Sequence, residues 1–133
     1  MTTMTTTTTM TATTVTILTV DDSRTMRDML RMALVDAGFR VVQAEDGLHG
    51  LDVLREEAPQ VVITDINMPR MDGFGFIEAV RQDARHRGLP ILVLTTESDE
   101  EKKLRARRAG ATGWIVKPFD PAKLVAAIRR VAA

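Results

Sequence analysis

From Val15 onward, apolar residues fall in short blocks that keep two different rhythms. Residues 15–20 (VTILTV), 39–44 (FRVVQA), 61–65 (VVITD), 91–95 (ILVLT) and 112–116 (TGWIV) are short and rich in β-branched side chains, which predicts five strands. Between them the spacing lengthens. Met26, Met29, Leu30, Ala33 and Leu34 recur at i, i+3, i+4 across residues 24–37, the stripe of an amphipathic helix, and Gly38 follows where a C-terminal glycine belongs. Residues 48–57 and 74 to about 85 predict a second and a third helix. Ser98 with Glu101 forms a capping box for a fourth, which is acidic at its start (Asp99, Glu100, Glu101), basic near its end (Arg105, Arg107, Arg108) and closed by Gly110. Asp120–Pro121 offers an N-cap and a first-turn proline for a fifth helix bearing Leu124, Val125, Ile128 and Val131.

Strands that alternate with helices require crossover connections, hence a parallel sheet covered by helices on both faces, an α/β fold. The continuous apolar runs at 61–63 and 91–94 suit central strands buried on both sides. Ligands of such sheets bind beyond the carboxyl ends of the strands, where the strand order reverses. The residues just past each strand are therefore the ones to read for chemistry.

Length and composition narrow the class. A chain of 133 residues suits one domain, here 15–133, preceded by a threonine-rich stretch at 1–14 that has no helical period and reads as a disordered tail. Lysine plus arginine equals aspartate plus glutamate, so a broad nucleic-acid footprint is not expected. Absence of cysteine excludes disulfides, thiolate metal sites and cysteine nucleophiles. With no membrane-length apolar run and no signal-peptide pattern, a cytoplasmic address and no membrane partner are expected.

The strand ends carry Asp21-Asp22, Asp65, Thr95-Thr96 and Lys117-Pro118. Taken singly, each has an ordinary reading: an aspartate after a strand is often only a helix cap, a threonine can be turn chemistry, and a loop lysine is commonly solvated. Asp65 stands apart, because an acid closing a buried strand is costly unless something pairs with it. Three carboxylates on one edge repel one another, and a hard divalent cation resolves the conflict. Mg²⁺ takes oxygen ligands and commonly binds through one or two carboxylates with a phosphate. Metal, lysine, hydroxyl and strand-end carboxylate together suit phosphoryl transfer, with an aspartate as covalent acceptor. His49 and His86 fall in or beside helices, away from these acids, and read as solvent-facing.

Asp21-Asp22, "DINMPRMDG" (65–73), Thr95 and "KPF" (117–119), in that order on five strand–helix units, resemble the receiver domains of two-component response regulators, and within them the stand-alone chemotaxis regulators. The resemblance covers residues 15–133 and implies a flavodoxin-like sheet of order 2-1-3-4-5 with five helices. It implies Asp65 as phosphoacceptor and Mg²⁺ held by Asp21, Asp22, Asp65 and the backbone carbonyl of Asn67. Thr95 and Lys117 would contact the phosphoryl group, and Trp114 would occupy the aromatic switch position, where chemotaxis receivers typically carry tyrosine. Asn67 and Glu97 would tune dephosphorylation, and Lys117-Pro118 would be cis. The implied partners are a histidine kinase and, through the face of the fourth helix, fifth strand and fifth helix, a flagellar motor switch protein, with the chain a monomer. Three other readings exist: a receiver outside chemotaxis, a module that only binds, and a Mg²⁺-dependent phosphohydrolase with an aspartyl nucleophile. Against the last, such hydrolases place a second aspartate two residues after the first, and Asn67 cannot shuttle protons there.

Overall fold

In a computed structural model, residues 14–132 are described, so the expectation for the threonine-rich tail falls almost wholly outside the described residues. Strands β1 (Thr16–Val20), β2 (Arg40–Ala44), β3 (Val61–Thr64), β4 (Ile91–Thr95) and β5 (Gly113–Val116) alternate with helices α1 (Arg24–Asp36), α2 (Gly47–Glu57), α3 (Gly73–Gln82), α4 (Glu100–Ala109) and α5 (Pro121–Ala132). The sheet is parallel, in the order β2-β1-β3-β4-β5, as expected. The order reverses between β1 and β3, which places the carboxyl ends carrying Asp21 and Asp65 side by side. Among the described residues no helix is long and apolar enough to cross a membrane.

Period-two alternation divides the core into two layers. Ile17, Val61, Ile63, Leu92 and Leu94 pack with Leu30 and Leu34 of α1 and Leu124 and Ile128 of α5. Leu18, Val20, Val62, Ile91 and Val93 pack on the opposite face with Val53 and Leu54 of α2, Phe74, Phe76, Ile77 and Val80 of α3, and Ala106 of α4. Because both faces are covered, β1, β3 and β4 are buried along their whole length. The strand ends are held in turn: Asp65 N–H donates to the Val20 carbonyl (2.9 Å), extending the ladder to the acid itself.

Boundaries differ from expectation at three helix ends, each time for a capping reason. The third helix stops at Gln82 because Asp83 leaves the helical region and its carboxylate takes the Arg85 N–H (2.9 Å), starting a separate 3₁₀ turn over Ala84–His86. The fourth is capped by Asp99, which accepts from Glu101 N–H (2.8 Å), in place of the Ser98–Glu101 box. The second begins at Gly47, under an Asp46 cap that accepts from His49 N–H. Asp120 does cap α5, accepting from Ala122 and Lys123 N–H.

Among the described residues one buried hydroxyl is unsatisfied. Thr19 is fully buried in β1, and its Oγ1 has no hydrogen-bond partner. A buried donor left unmade costs about 1–3 kcal/mol, so the isosteric Thr19→Val protein should be more stable by about 1 kcal/mol. Urea denaturation checks this; an unchanged or lower midpoint would contradict it.

Candidate functional site

Asp65 ends β3, the central strand, and is 8% exposed. Its two carboxylate oxygens are separately engaged: Oδ1 accepts from the Ile66 N–H (2.6 Å) and Oδ2 accepts from Lys117 Nζ (2.7 Å). Asp21, at the end of neighbouring β1, is 2% exposed; its Oδ1 accepts from Ser23 N–H (2.9 Å) and its Oδ2 from the same Lys117 ammonium (2.8 Å). The exposed Asp22 completes the group, and one oxygen from each of the three acids lies within 4.8 Å of the others. All the candidate ligands are hard oxygens, two from buried acids and one from an exposed acid, a donor set that fits Mg²⁺ or a similar cation.

The charges are unequal, and the electrostatics reflect it. Burial pushes the Asp21 carboxyl above its ordinary value, and the hydrogen bonds from Lys117 and Ser23 offset this only in part. Burial also works against the Lys117 ammonium, but its bonds to Asp21 and Asp65 outweigh that, holding its pKa above the ordinary lysine value. One cation thus serves two carboxylates, a deficit that a bound divalent ion would make good.

The β4 side contributes Thr95, fully buried, whose Oγ1 accepts from Glu97 N–H at 3.4 Å. Lys117 N–H donates to the Thr95 carbonyl (2.8 Å), so the ends of β4 and β5 are tied directly beside the acids. The Lys117–Pro118 bond is cis, as the resemblance implied. Asn67 is exposed on the β3–α3 loop and donates from Nδ2 to Glu97 Oε2 (3.0 Å), bridging to the β4–α4 loop. Lys102 Nζ donates to the other Glu97 oxygen (2.9 Å), and Lys102, then Asn67, hold the Glu97 carboxyl below its usual range. Trp114 lies half-buried on β5, and its indole N–H donates to the Glu97 main-chain carbonyl (3.1 Å). The expected residues therefore assemble in one place, with Asp21, Asp22, Asp65 and Lys117 at the centre and Asn67, Glu97 and Trp114 linked along one rim.

Two features escaped sequence reasoning. Lys102 sits five residues beyond Glu97, outside the i, i+4 spacing that flags helix pairs, because the contact crosses a helix start. The histidines are not the solvent-facing side chains expected: both are half-buried, His49 Nδ1 accepting from Glu45 N–H (3.2 Å) and His86 lying 3.7 Å from Asp83. Neither reaches the acidic cluster.

Comparison with known proteins agrees with this geometry. Residues 17–129 match the family model described as "Response regulator receiver domain". "Chemotaxis protein CheY-3" of Vibrio cholerae is 42% identical over 108 residues, spanning 80% of this chain and 83% of that protein. "Probable transcriptional regulator ycf27" of Guillardia theta is 40% identical over 114 residues, but there the chain spans only 44% of the relative's length. Among solved structures, that of the chemotaxis response regulator CheY4 of Vibrio cholerae superposes with a TM-score of 0.84 at 44% identity, covering 90% of this chain and 99% of that one. With the sheet order, the strand-end acids and the family match in agreement, this chain belongs to the response regulator receiver domain family.

Proposed function

We propose that this receiver accepts a phosphoryl group on Asp65 from the phosphohistidine of a histidine kinase, in a Mg²⁺-dependent transfer, and passes the signal on by switching a partner-binding face. The observation that carries the reading is the Lys117 ammonium shared between the buried Asp21 and Asp65 carboxylates, with Asp22 in reach. Asp21, Asp22, Asp65 and the Asn67 carbonyl would hold the cation, which when bound supplies charge neutralisation for the carboxylates and the phosphoryl oxygens. The Ile66 N–H fixes one Asp65 oxygen, and the β3–β1 ladder fixes the backbone behind it. An Asp65 carboxylate oxygen attacks phosphorus, the phosphorus–nitrogen bond of the donor breaks, and the electron pair returns to the donor's imidazole. Lys117 then exchanges a carboxylate contact for the new phosphoryl oxygens, and the Thr95 hydroxyl donates to them.

Asn67 offers no acid or base for rapid hydrolysis, so the phosphoryl group is stored as a signal and the chain is not a multi-turnover phosphatase. Trp114 supplies the link to output. Its indole N–H holds the Glu97 carbonyl, and the Glu97 side chain holds Asn67 beside Asp65. A change at Thr95 or Asp65 is thereby passed to the α4–β5–α5 face. A shift from mostly inactive to mostly active requires about 5.5 kcal/mol of preference for the active state, within reach of a new dianion contacting a cation, Lys117 and Thr95.

The Asn67–Glu97 pair resembles that of chemotaxis receivers, and relatives named as chemotaxis proteins favour a chemotaxis output; on that reading the partner is a flagellar motor switch protein and the chain acts as a cytoplasmic monomer. The comparable identity to a transcriptional regulator favours the second reading, a two-component output outside chemotaxis. The test is phosphoryl storage. After incubation with Mg²⁺ and a small acyl phosphate and then desalting, intact-mass spectrometry should find one phosphoryl group per chain, decaying without further donor. Continuous multi-turnover hydrolysis of a phosphoester would overturn the reading. Binding to a flagellar switch protein that tightens with phosphorylation decides for chemotaxis; equal binding in both states decides against it.

A further inference from the structure

The loop that would present the Asn67 carbonyl to the cation runs from Ile66 to Asp72, and it contains a backbone outlier. Arg70 has φ +64°, the left-handed region that is strained for a residue with a Cβ. Such strain persists only where the surroundings over-determine it. The surroundings here are the start of α2. Arg70 grips the Asp46 carboxylate with two donors, Nε to Oδ2 at 2.8 Å and Nη2 to Oδ1 at 3.1 Å. The Asp46 side chain is 3% exposed and also accepts from His49 N–H, so it is fixed by the helix it caps. Beside it, Gly47 N–H donates to the Met71 carbonyl (3.1 Å), and a Cβ at Gly47 would fall 2.7 Å from that oxygen and 2.6 Å from Met71 Cγ. The other end of the loop is closed by Gly73 N–H donating to the Ile66 carbonyl (2.8 Å), where a Cβ would collide with the main chain of Asp65. The loop is thus anchored at its base on β3 and at its crown on α2, with Asn67 between.

We propose that Asp46 and Arg70 are positioning residues for the phosphorylation site: their bidentate pair clamps the 66–72 loop against α2 and so sets the geometry in which the Asn67 carbonyl meets the cation. The inference rests on the receiver reading above, and it extends the site to two residues that touch neither metal nor phosphate. A planar guanidinium fork on a buried, helix-fixed carboxylate defines both distance and orientation, which a lysine ammonium would not. Supporting partners of this kind change metal affinity by about 10–100-fold when removed.

Calorimetric titration of Mg²⁺ into the unphosphorylated full chain provides the test. Arg70→Gly removes the clamp and relieves the left-handed strain together, so its folding midpoint should stay close to wild type while its Mg²⁺ Kd rises about tenfold. Asp46→Ser keeps a cap for α2 but not the ion pair, and should raise Kd to a similar extent. Arg70→Lys should recover part of the affinity, and the double variant should be no worse than either single one. A Kd within twofold of wild type in both single variants, or additive losses in the double, would overturn the clamp while leaving the receiver reading intact. Failure of the wild-type chain to bind Mg²⁺ at all would overturn both, and the two failures are told apart by the wild-type titration alone.

Discussion

Lys117→Met should lose about 3–5 kcal/mol of stability in the metal-free protein, the cost of stripping the counter-ion from buried charge. The side chain is 10% exposed and bonds Asp21 and Asp65, whose side chains alone are 3% and 11% exposed. Methionine fills the same space but leaves Asp21 and Asp65 facing each other without a cation. The loss should depend on conditions in a way that a packing defect would not. Mg²⁺ at about 100 times its Kd should restore up to about 2.7 kcal/mol, because it binds only the folded state. Acid should narrow the gap as well. Asp21 already has a raised carboxyl pKa, so the folded state holds its proton more tightly than the unfolded chain. Stability therefore rises as pH falls through the window above the ordinary value of 3.8, and more so without Lys117. In the wild type the lysine acts with the same sign at higher pH: its raised pKa gives stability that is complete below 10.5 and is lost as pH climbs through the folded value. Chemical denaturation of both proteins, with and without Mg²⁺ at mildly acidic, neutral and alkaline pH, checks these statements. A uniform loss insensitive to Mg²⁺ would contradict them.

Asp21→Asn should show the reverse balance, with little change in fold and a large change in metal binding. Asparagine keeps one oxygen for either Ser23 N–H or Lys117, so one hydrogen bond is lost, worth about 1 kcal/mol. Against that loss, a charge disfavoured by burial is removed, and metal-free stability should stay within about 1 kcal/mol of wild type. Mg²⁺ affinity should fall at least about tenfold, or about 1.4 kcal/mol, as one of three acids is neutralised. Stability unaffected by a change that removes metal binding would mark Asp21 as serving the site more than the fold. Unchanged affinity would mean the cation sits elsewhere.

How much of this was legible in the residues depends on distance along the chain. The five strands and five helices follow from local periodicity, and Asp65 stands out because it interrupts a buried run. The caps were harder, since Ser98 and Asp99 are adjacent and equally able, and only the path of the chain selects Asp99. Lys117 and Asp21 are 96 residues apart, and no spacing rule links them; their meeting follows from sheet order, which the family resemblance supplied. Trp114 is instructive in another way. Sequence reading could say that indole lacks the tyrosine hydroxyl, but not that its N–H would find the Glu97 carbonyl. Arg70 was hidden for a similar reason: its backbone conformation and its partner Asp46 are both tertiary facts, set by α2 packing beside the β3–α3 loop.

The most direct test of the central claim is the position of the phosphoryl group. The full chain is incubated with a small acyl phosphate, with and without Mg²⁺, and digested under mild acid for peptide mass mapping. A single phosphoryl group should appear on the peptide containing Asp65, only with the divalent cation, and Asp65→Asn should carry none. Modification at another residue, or equal uptake by Asp65→Asn, would contradict it.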